Sequence, residues 1–216
     1  MAKMHFKYAS MNSGKSIDLM RSCYNYEENG YKILVIKPSI DTKDGNKISS
    51  RVGLKREVDV VLDSKDSVIH KLTSLLNEIK CIFVDEAQFL TTNQVDELFY
   101  VSKACNIPVI CYGLRTNFKM ESFSGGKRLL EISDCLEEIP TLCRCGNIAR
   151  HVGRVENGEY VTEGDEVVID GAKDIKYEPL CSDCHLQKVE KINYEDIRRK
   201  LNYENRNWYR WYYYWN

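Results

Sequence analysis

The stretch Ala9-Ser10-Met11-Asn12-Ser13-Gly14-Lys15-Ser16 decides the reading of this chain. It ends in Gly-Lys-Ser and has the spacing of a phosphate-binding loop, with alanine where the first glycine usually stands. Such a loop needs a strand before it, a turn whose backbone N–H groups converge, and a helix N-terminus after it. His5–Tyr8 reads as the strand, and Ile17, Leu19, Met20 and Cys23 give the following residues an apolar helical side. In that setting Gly14 lets the backbone approach a phosphate, Lys15 reaches the β- and γ-phosphates, and the Ser16 hydroxyl takes Mg²⁺.

Downstream of the loop, Ile33–Ile36, Cys81–Val84 and Val109–Tyr112 are short, apolar and rich in β-branched residues, as strands covered on both faces are. Helical patterns lie between them. Val68, Leu72, Leu75, Leu76 and Ile79 share one helical face, and Thr91 with Gln94 spells a capping box ahead of Val95, Leu98, Phe99 and Val101. Strands alternating with helices give an α/β domain: a parallel sheet with helices on both faces. The run Cys81–Val84 ends in Asp85-Glu86, where an open α/β sheet places its ligands. Asp85 is the expected Mg²⁺ carboxylate. Glu86 points the other way along the strand, so the two carboxylates have separate jobs, and Glu86 suits a general base. The guanine-reading Asn-Lys-x-Asp is absent, since Asn46-Lys47 continues Ile48-Ser49.

The regular alternation stops near Pro140. Three segments follow from this: a nucleotide-binding domain over 1–140, a cysteine-bearing domain over 141–192, and a charged, aromatic tail over 193–216. Cys143-x-Cys145 and Cys181-x-x-Cys184 stand about 35 residues apart, and four thiolates at such spacings wrap one tetrahedral Zn²⁺. His185 competes with Cys184 as the fourth ligand. A site closed by four protein ligands is structural, not catalytic. Cys23, Cys81, Cys105 and Cys111 read as small core residues, and Cys135 is assigned no role. Nine cysteines without a leader-like N-terminus suggest a reducing, cytoplasmic setting. No apolar run approaches the roughly 20 residues of a membrane helix. With 31 Lys+Arg against 32 Asp+Glu, the net charge of -1 argues against a protein built to neutralise a nucleic-acid backbone.

Taken in order, YASMNSGKS, KPSIDTKDGNKISSRVG, FVDEAQFL, CYGLRTNFKMESF, TLCRCGNIARHVGR, VVIDG and KYEPLCSDCH resemble the thymidine kinase family of the cytosolic and bacterial type, over roughly residues 4–190. The resemblance implies a RecA-like P-loop fold with a zinc-binding lasso. It also implies transfer of the ATP γ-phosphoryl group to the 5′-hydroxyl of thymidine, with Glu86 as the general base. ATP would be held by Ala9, Ser10, Met11, Asn12, Ser13, Gly14, Lys15 and Ser16 together with Asp85, Glu86, Ala87 and Gln88, and Mg²⁺ by Ser16 and Asp85. The family's base pocket carries over onto Met11, Phe89, Leu114, Phe118 and Phe123, with Val168 and Tyr177 matching lasso positions. Arg51 matches a recurrent motif, either contacting phosphate or lying as a solvated surface arginine. The family also implies a homo-oligomer, usually a tetramer, and feedback inhibition by thymidine triphosphate. The chain departs from the family pattern at Ala9, at the tight C-x-C pair and in a longer spacing between Val168 and Tyr177.

A second reading is a P-loop ATPase whose zinc ribbon binds single-stranded nucleic acid. It rests on the ending Arg206-Asn207-Trp208-Tyr209-Arg210-Trp211-Tyr212-Tyr213-Tyr214-Trp215, where aromatics interleaved with arginine could stack on bases. The near-neutral charge speaks against it. The plainer expectation for the tail is that it docks on the chain's own surface or on a neighbouring subunit.

Overall fold

Alternation inside the apolar runs sets the layering. The computed structural model describes residues 1–41, 45–166 and 174–201. In chain order its strands are β1 (Met4–Ala9), β2 (Lys32–Pro38), the hairpin pair β3 (Lys47–Ser49) and β4 (Lys55–Glu57), β5 (Val60–Leu62), β6 (Ile79–Val84), β7 (Val109–Leu114), β8 (Cys135–Glu138), β9 (His151–Glu156), β10 (Glu159–Val161) and β11 (Ile175–Leu180). Its helices are α1 (Lys15–Glu28), α2 (Val68–Leu72), α3 (Thr92–Ala104), α4 (Ser124–Ile132), α5 (Ser182–Lys188) and α6 (Tyr194–Lys200).

Six strands form one sheet in the order β5-β2-β6-β7-β1-β8, and every pairing is parallel. Along β2 and β6, Val35 and Phe83 face one side while Leu34, Ile36, Ile82 and Val84 face the other, and all are buried. On the first side α1 lays Leu19, Met20 and Cys23 against Val35, Phe83 and Tyr112. On the second, α2, α3 and α4 bring in Val68, Leu72, Val95, Leu98 and Leu129. This is the expected parallel sheet with helices on both faces. β7 lies between the P-loop strand β1 and the acid-bearing strand β6, the RecA-like order. The Thr91 hydroxyl accepts from Gln94 N at 3.2 Å and the Gln94 side chain accepts from Thr91 N at 3.0 Å, so the capping box forms as read.

Some elements differ from the sequence expectation. The apolar stripe from Val68 to Ile79 is helical only to Leu72. Glu78 takes left-handed backbone, with φ 69°, and Ile79 opens β6 beside Lys32. A strand of the sheet has claimed the end of the pattern, and Leu75 is left exposed. β5 and β8 extend the sheet beyond the four runs read as strands. They are only three and four residues long, and Glu137 and Glu138 on β8 interrupt any apolar signature. Cys105 caps the end of α3 in an exposed position instead of packing on a helix face, and Cys135 lies in the edge strand β8. α6 carries the weak stripe of Tyr194 and Ile197 without burying any residue. The aromatic tail lies outside the described residues.

After β8 the chain builds a small antiparallel sheet in the order β10-β9-β11, with α5 against it. Its apolar core is slight: Cys143, Ala149, Leu180, Cys181 and Val189. So small a core needs further support to hold one conformation, and a metal site is the usual source.

Glycines set the distance between α4 and the 3₁₀ turn Ala87–Phe89 that follows β6. A Cβ on Gly125 would stand 2.4 Å from Leu90 O and 2.9 Å from Ala87 O, whereas one on Gly126 would meet nothing closer than 3.4 Å. Gly125→Ala should therefore destabilise the fold by about 1–3 kcal/mol through forced backbone movement. Gly126→Ala should be neutral or gain about 0.5–1 kcal/mol from helix propensity. Thermal unfolding of the two variants checks the contrast.

Candidate active site

β1 ends at Ala9, where extended backbone accepts a Cβ, so alanine in place of the usual first glycine distorts nothing. The left-handed positions of the loop are Asn12, with φ 62°, and Gly14, with φ 81°. Asparagine is among the few side chains that tolerate this region, and glycine enters it freely. α1 starts at Lys15. The Lys15 side chain is buried and its Nζ donates to Ser10 O at 3.2 Å. Burial pushes its pKa below the usual lysine range, and the charges of Glu86 and Asp85 partly restore it. The Ser10 hydroxyl in turn donates to His151 O at 2.6 Å, tying the loop to β9.

Asp85 follows the last residue of β6, and its N–H donates to Ile36 O at 2.9 Å. The carboxylate is buried, and Oδ1 has no hydrogen-bond partner. Burial, and then the neighbouring charge of Glu86, hold its pKa well above the usual carboxylate range. A buried carboxylate oxygen without a donor is the partner a divalent cation requires, so Asp85 fits Mg²⁺. Glu86 does not continue the strand. Its φ of 47° starts the 3₁₀ turn, so the alternation that was to place it opposite Asp85 does not apply. Gln88 Nε2 donates to Glu86 Oε2 at 2.6 Å.

These groups border one cleft of about 440 Å³, lined by Met11 to Ile17, Asp85, Glu86 and Leu114, and on its far side by Asp41 and the segment Lys47–Val52. Arg51 therefore lies at the cleft. Lys37, buried at the end of β2, pairs with Asp41 at 2.9 Å, a contact that no sequence pattern pointed to. Ala87 and Gln88 are fully buried and do not line the cleft.

Of the expected base-pocket residues, Met11 and Leu114 line the cleft. Phe89 and Phe123 meet edge to face at 5.2 Å between ring centres. Phe118 is turned inward, buried beneath the Arg154 guanidinium at 5.0 Å. Arg154 is itself buried. It donates to Asp165 O at 2.8 Å and pairs with Glu156. Tyr177 lies directly across from Arg154 in the β9–β11 ladder. Val168 lies outside the described residues.

The sulfur atoms of Cys143, Cys145, Cys181 and Cys184 all fall within 4.8 Å of one another, and Cys145 Sγ is 3.5 Å from Cys181 Sγ. Four thiolates at about 2.3 Å from a tetrahedral Zn²⁺ would stand about 3.8 Å apart, so the cluster fits a zinc site. Burial opposes ionisation of Cys143, but N–H groups of Cys145 and Cys181 and the neighbouring thiols outweigh it, holding its pKa down at about 6. Cys184, and not His185, joins this cluster. His185 is fully buried, with Nε2 3.3 Å from Phe118 O and its ring 5.5 Å from that of His151. Among the described residues no helix is long and apolar enough to cross a membrane.

The thymidine kinase family model matches residues 2–185. The chain belongs to the thymidine kinase family. The thymidine kinase of Shewanella oneidensis is 42% identical over 84% of this chain and 95% of its own length. That of Enterobacteria phage T4 is 43% identical over 78% and 89%, and that of Pasteurella multocida 42% identical over 89% and 99%. The fold brings Met11–Ser16 to one cleft with Asp85 and Glu86 and gathers the four cysteines, whereas Ala9 and Ser10, expected at the nucleotide, are buried and do not line that cleft.

The purified chain should carry one metal ion, measured by plasma mass spectrometry. Cys145→Ser and Cys181→Ser should lose it together with thermal stability, while His185→Gln should keep it, because His185 binds Phe118 O and not the metal.

Proposed function

We propose that this chain is a thymidine kinase that moves the γ-phosphoryl group of ATP to the 5′-hydroxyl of thymidine, giving thymidine monophosphate and ADP. The carrying observation is that Lys15 and the Asp85-Glu86 pair border the same cleft, with Met11 and Leu114 as its apolar side. Lys15, desolvated and held by Ser10 O, is a cation preorganised for the β- and γ-phosphates. Ser16 and Asp85 are the residues that would hold Mg²⁺, which when bound neutralises charge on the triphosphate. Glu86 takes the proton of the 5′-hydroxyl as its oxygen bonds to the γ-phosphorus and the bond to the ADP oxygen breaks. Met11, Leu114 and the Phe89–Phe123 pair offer the flat apolar contacts that a pyrimidine requires.

Cys143, Cys145, Cys181 and Cys184 hold a structural Zn²⁺ in this reading, and the metal compensates for the slight core of the β9–β11 unit. The family resemblance implies a homo-oligomer, usually a tetramer, with feedback inhibition by thymidine triphosphate. The cysteine set supports a cytoplasmic location. The competing single-strand-binding reading finds its best sequence support in the tail, and the net charge of -1 opposes it.

The purified chain with ATP and Mg²⁺ should form ADP in step with thymidine, and the reading fails if thymidine leaves ATP turnover at background. Glu86→Gln should lower kcat by about 10²–10⁴-fold with ATP binding retained. Lys15→Ala should remove ATP binding, as read by titration of a fluorescent analogue.

A further inference from the structure

Gln88 was expected among the nucleotide-binding residues, and the fold gives it a different task. It is the middle residue of the 3₁₀ turn Ala87–Phe89 and is fully buried. Both ends of its amide are used inside the protein. Nε2 donates to Glu86 Oε2 at 2.6 Å, and Oε1 accepts from Leu114 N at 3.0 Å. A backbone N–H can only donate, so the carbonyl end must face Leu114 and the NH₂ end must face the carboxylate.

The surroundings hold this arrangement from two sides. A Cβ on Gly113 would stand 2.8 Å from Gln88 Oε1 and 3.2 Å from Gln88 N, so the strand beside the turn has room for the amide and nothing more. On the other side Gly125 lets α4 press on the carbonyls of Ala87, Gln88 and Leu90. Glu86 itself sits in left-handed backbone, which is unfavourable for such a side chain and persists only where its surroundings fix it.

We propose that Gln88 is a positioning residue for Glu86 and not a ligand of the nucleotide. Resting on the reading of Glu86 as the general base, this gives one carboxylate oxygen to Gln88 and leaves the other for the 5′-hydroxyl. It also refers the base to Leu114, at the end of β7, which lines the same cleft. The nucleoside wall and the base are thus held in register by one amide.

Gln88→Glu separates the two ends of that amide. It keeps an acceptor for Leu114 N–H and loses the donor to Glu86. Gln88→Met removes the donor without adding charge and carries the test if Gln88→Glu loses stability. The full-length enzyme would be assayed with ATP, Mg²⁺ and thymidine beside Glu86→Gln. Both Gln88 variants should lower kcat by about 10²-fold, the scale of a misplaced catalytic group. KM for ATP and thymidine should stay within about threefold of wild type. Wild-type kcat in the Gln88 variants, with Glu86→Gln inactive, would overturn the positioning role alone. So would a raised KM for ATP at unchanged kcat, which is the signature of a nucleotide ligand. Full activity of Glu86→Gln would overturn the general-base reading on which the proposal rests.

Discussion

Lys15 and Asp85 are both withdrawn from water, and burial raises the energy of each charged form. Neither is neutralised at contact distance by the other: the Lys15 ammonium donates to a backbone carbonyl, and Asp85 Oδ1 has no donor. The site therefore keeps unspent electrostatic capacity, a cation for phosphate oxygens and a carboxylate oxygen for a metal ion. Such an arrangement is tolerable only on rigid support. The parallel sheet gives it, by ending β1 and β6 at one edge with β7 between them.

Two attachments then fix what the sheet alone leaves loose. The acid-bearing turn is clamped from β7 by Gln88 and from α4 by the missing side chain of Gly125. The phosphate loop is tied to the cysteine-bearing unit through Ser10 and His151, and more weakly through Thr141 and Asn12 O at 3.4 Å. The four cysteines sit on the same unit, so whatever holds them together bears on the loop as well as on their own small core. The cysteine cluster thus stands one hydrogen bond and one strand away from the phosphate loop.

Phe118 illustrates where a matched motif stops being enough. It belongs to CYGLRTNFKMESF and so falls within the family's pocket pattern, yet its ring is covered by Arg154 and its carbonyl by His185. Both partners lie in the cysteine-bearing unit, more than 30 residues away in the chain. His185 shows the same from the other side. Beside Cys184 it is a plausible ligand by spacing, but the packing of α5 turns it into the interior.

The sequence by itself determined the phosphate loop, the Asp85-Glu86 pair, the four cysteines and the parallel α/β layering. Each of these depends on residue type at a short spacing, and short spacings are fixed by local geometry: a turn that needs Gly14, a strand that ends in acids, a pair of thiols on one bend. Only the tertiary structure decided that β5 and β8 join the sheet, that the helix beginning at Val68 stops at Leu72, and that Glu86 leaves the strand. It alone also turned Gln88 away from the cleft and put Phe118 under Arg154. Those outcomes turn on contacts between residues far apart in the chain, where the available volume and the nearest unsatisfied hydrogen-bonding group choose the conformation, and no local pattern records either.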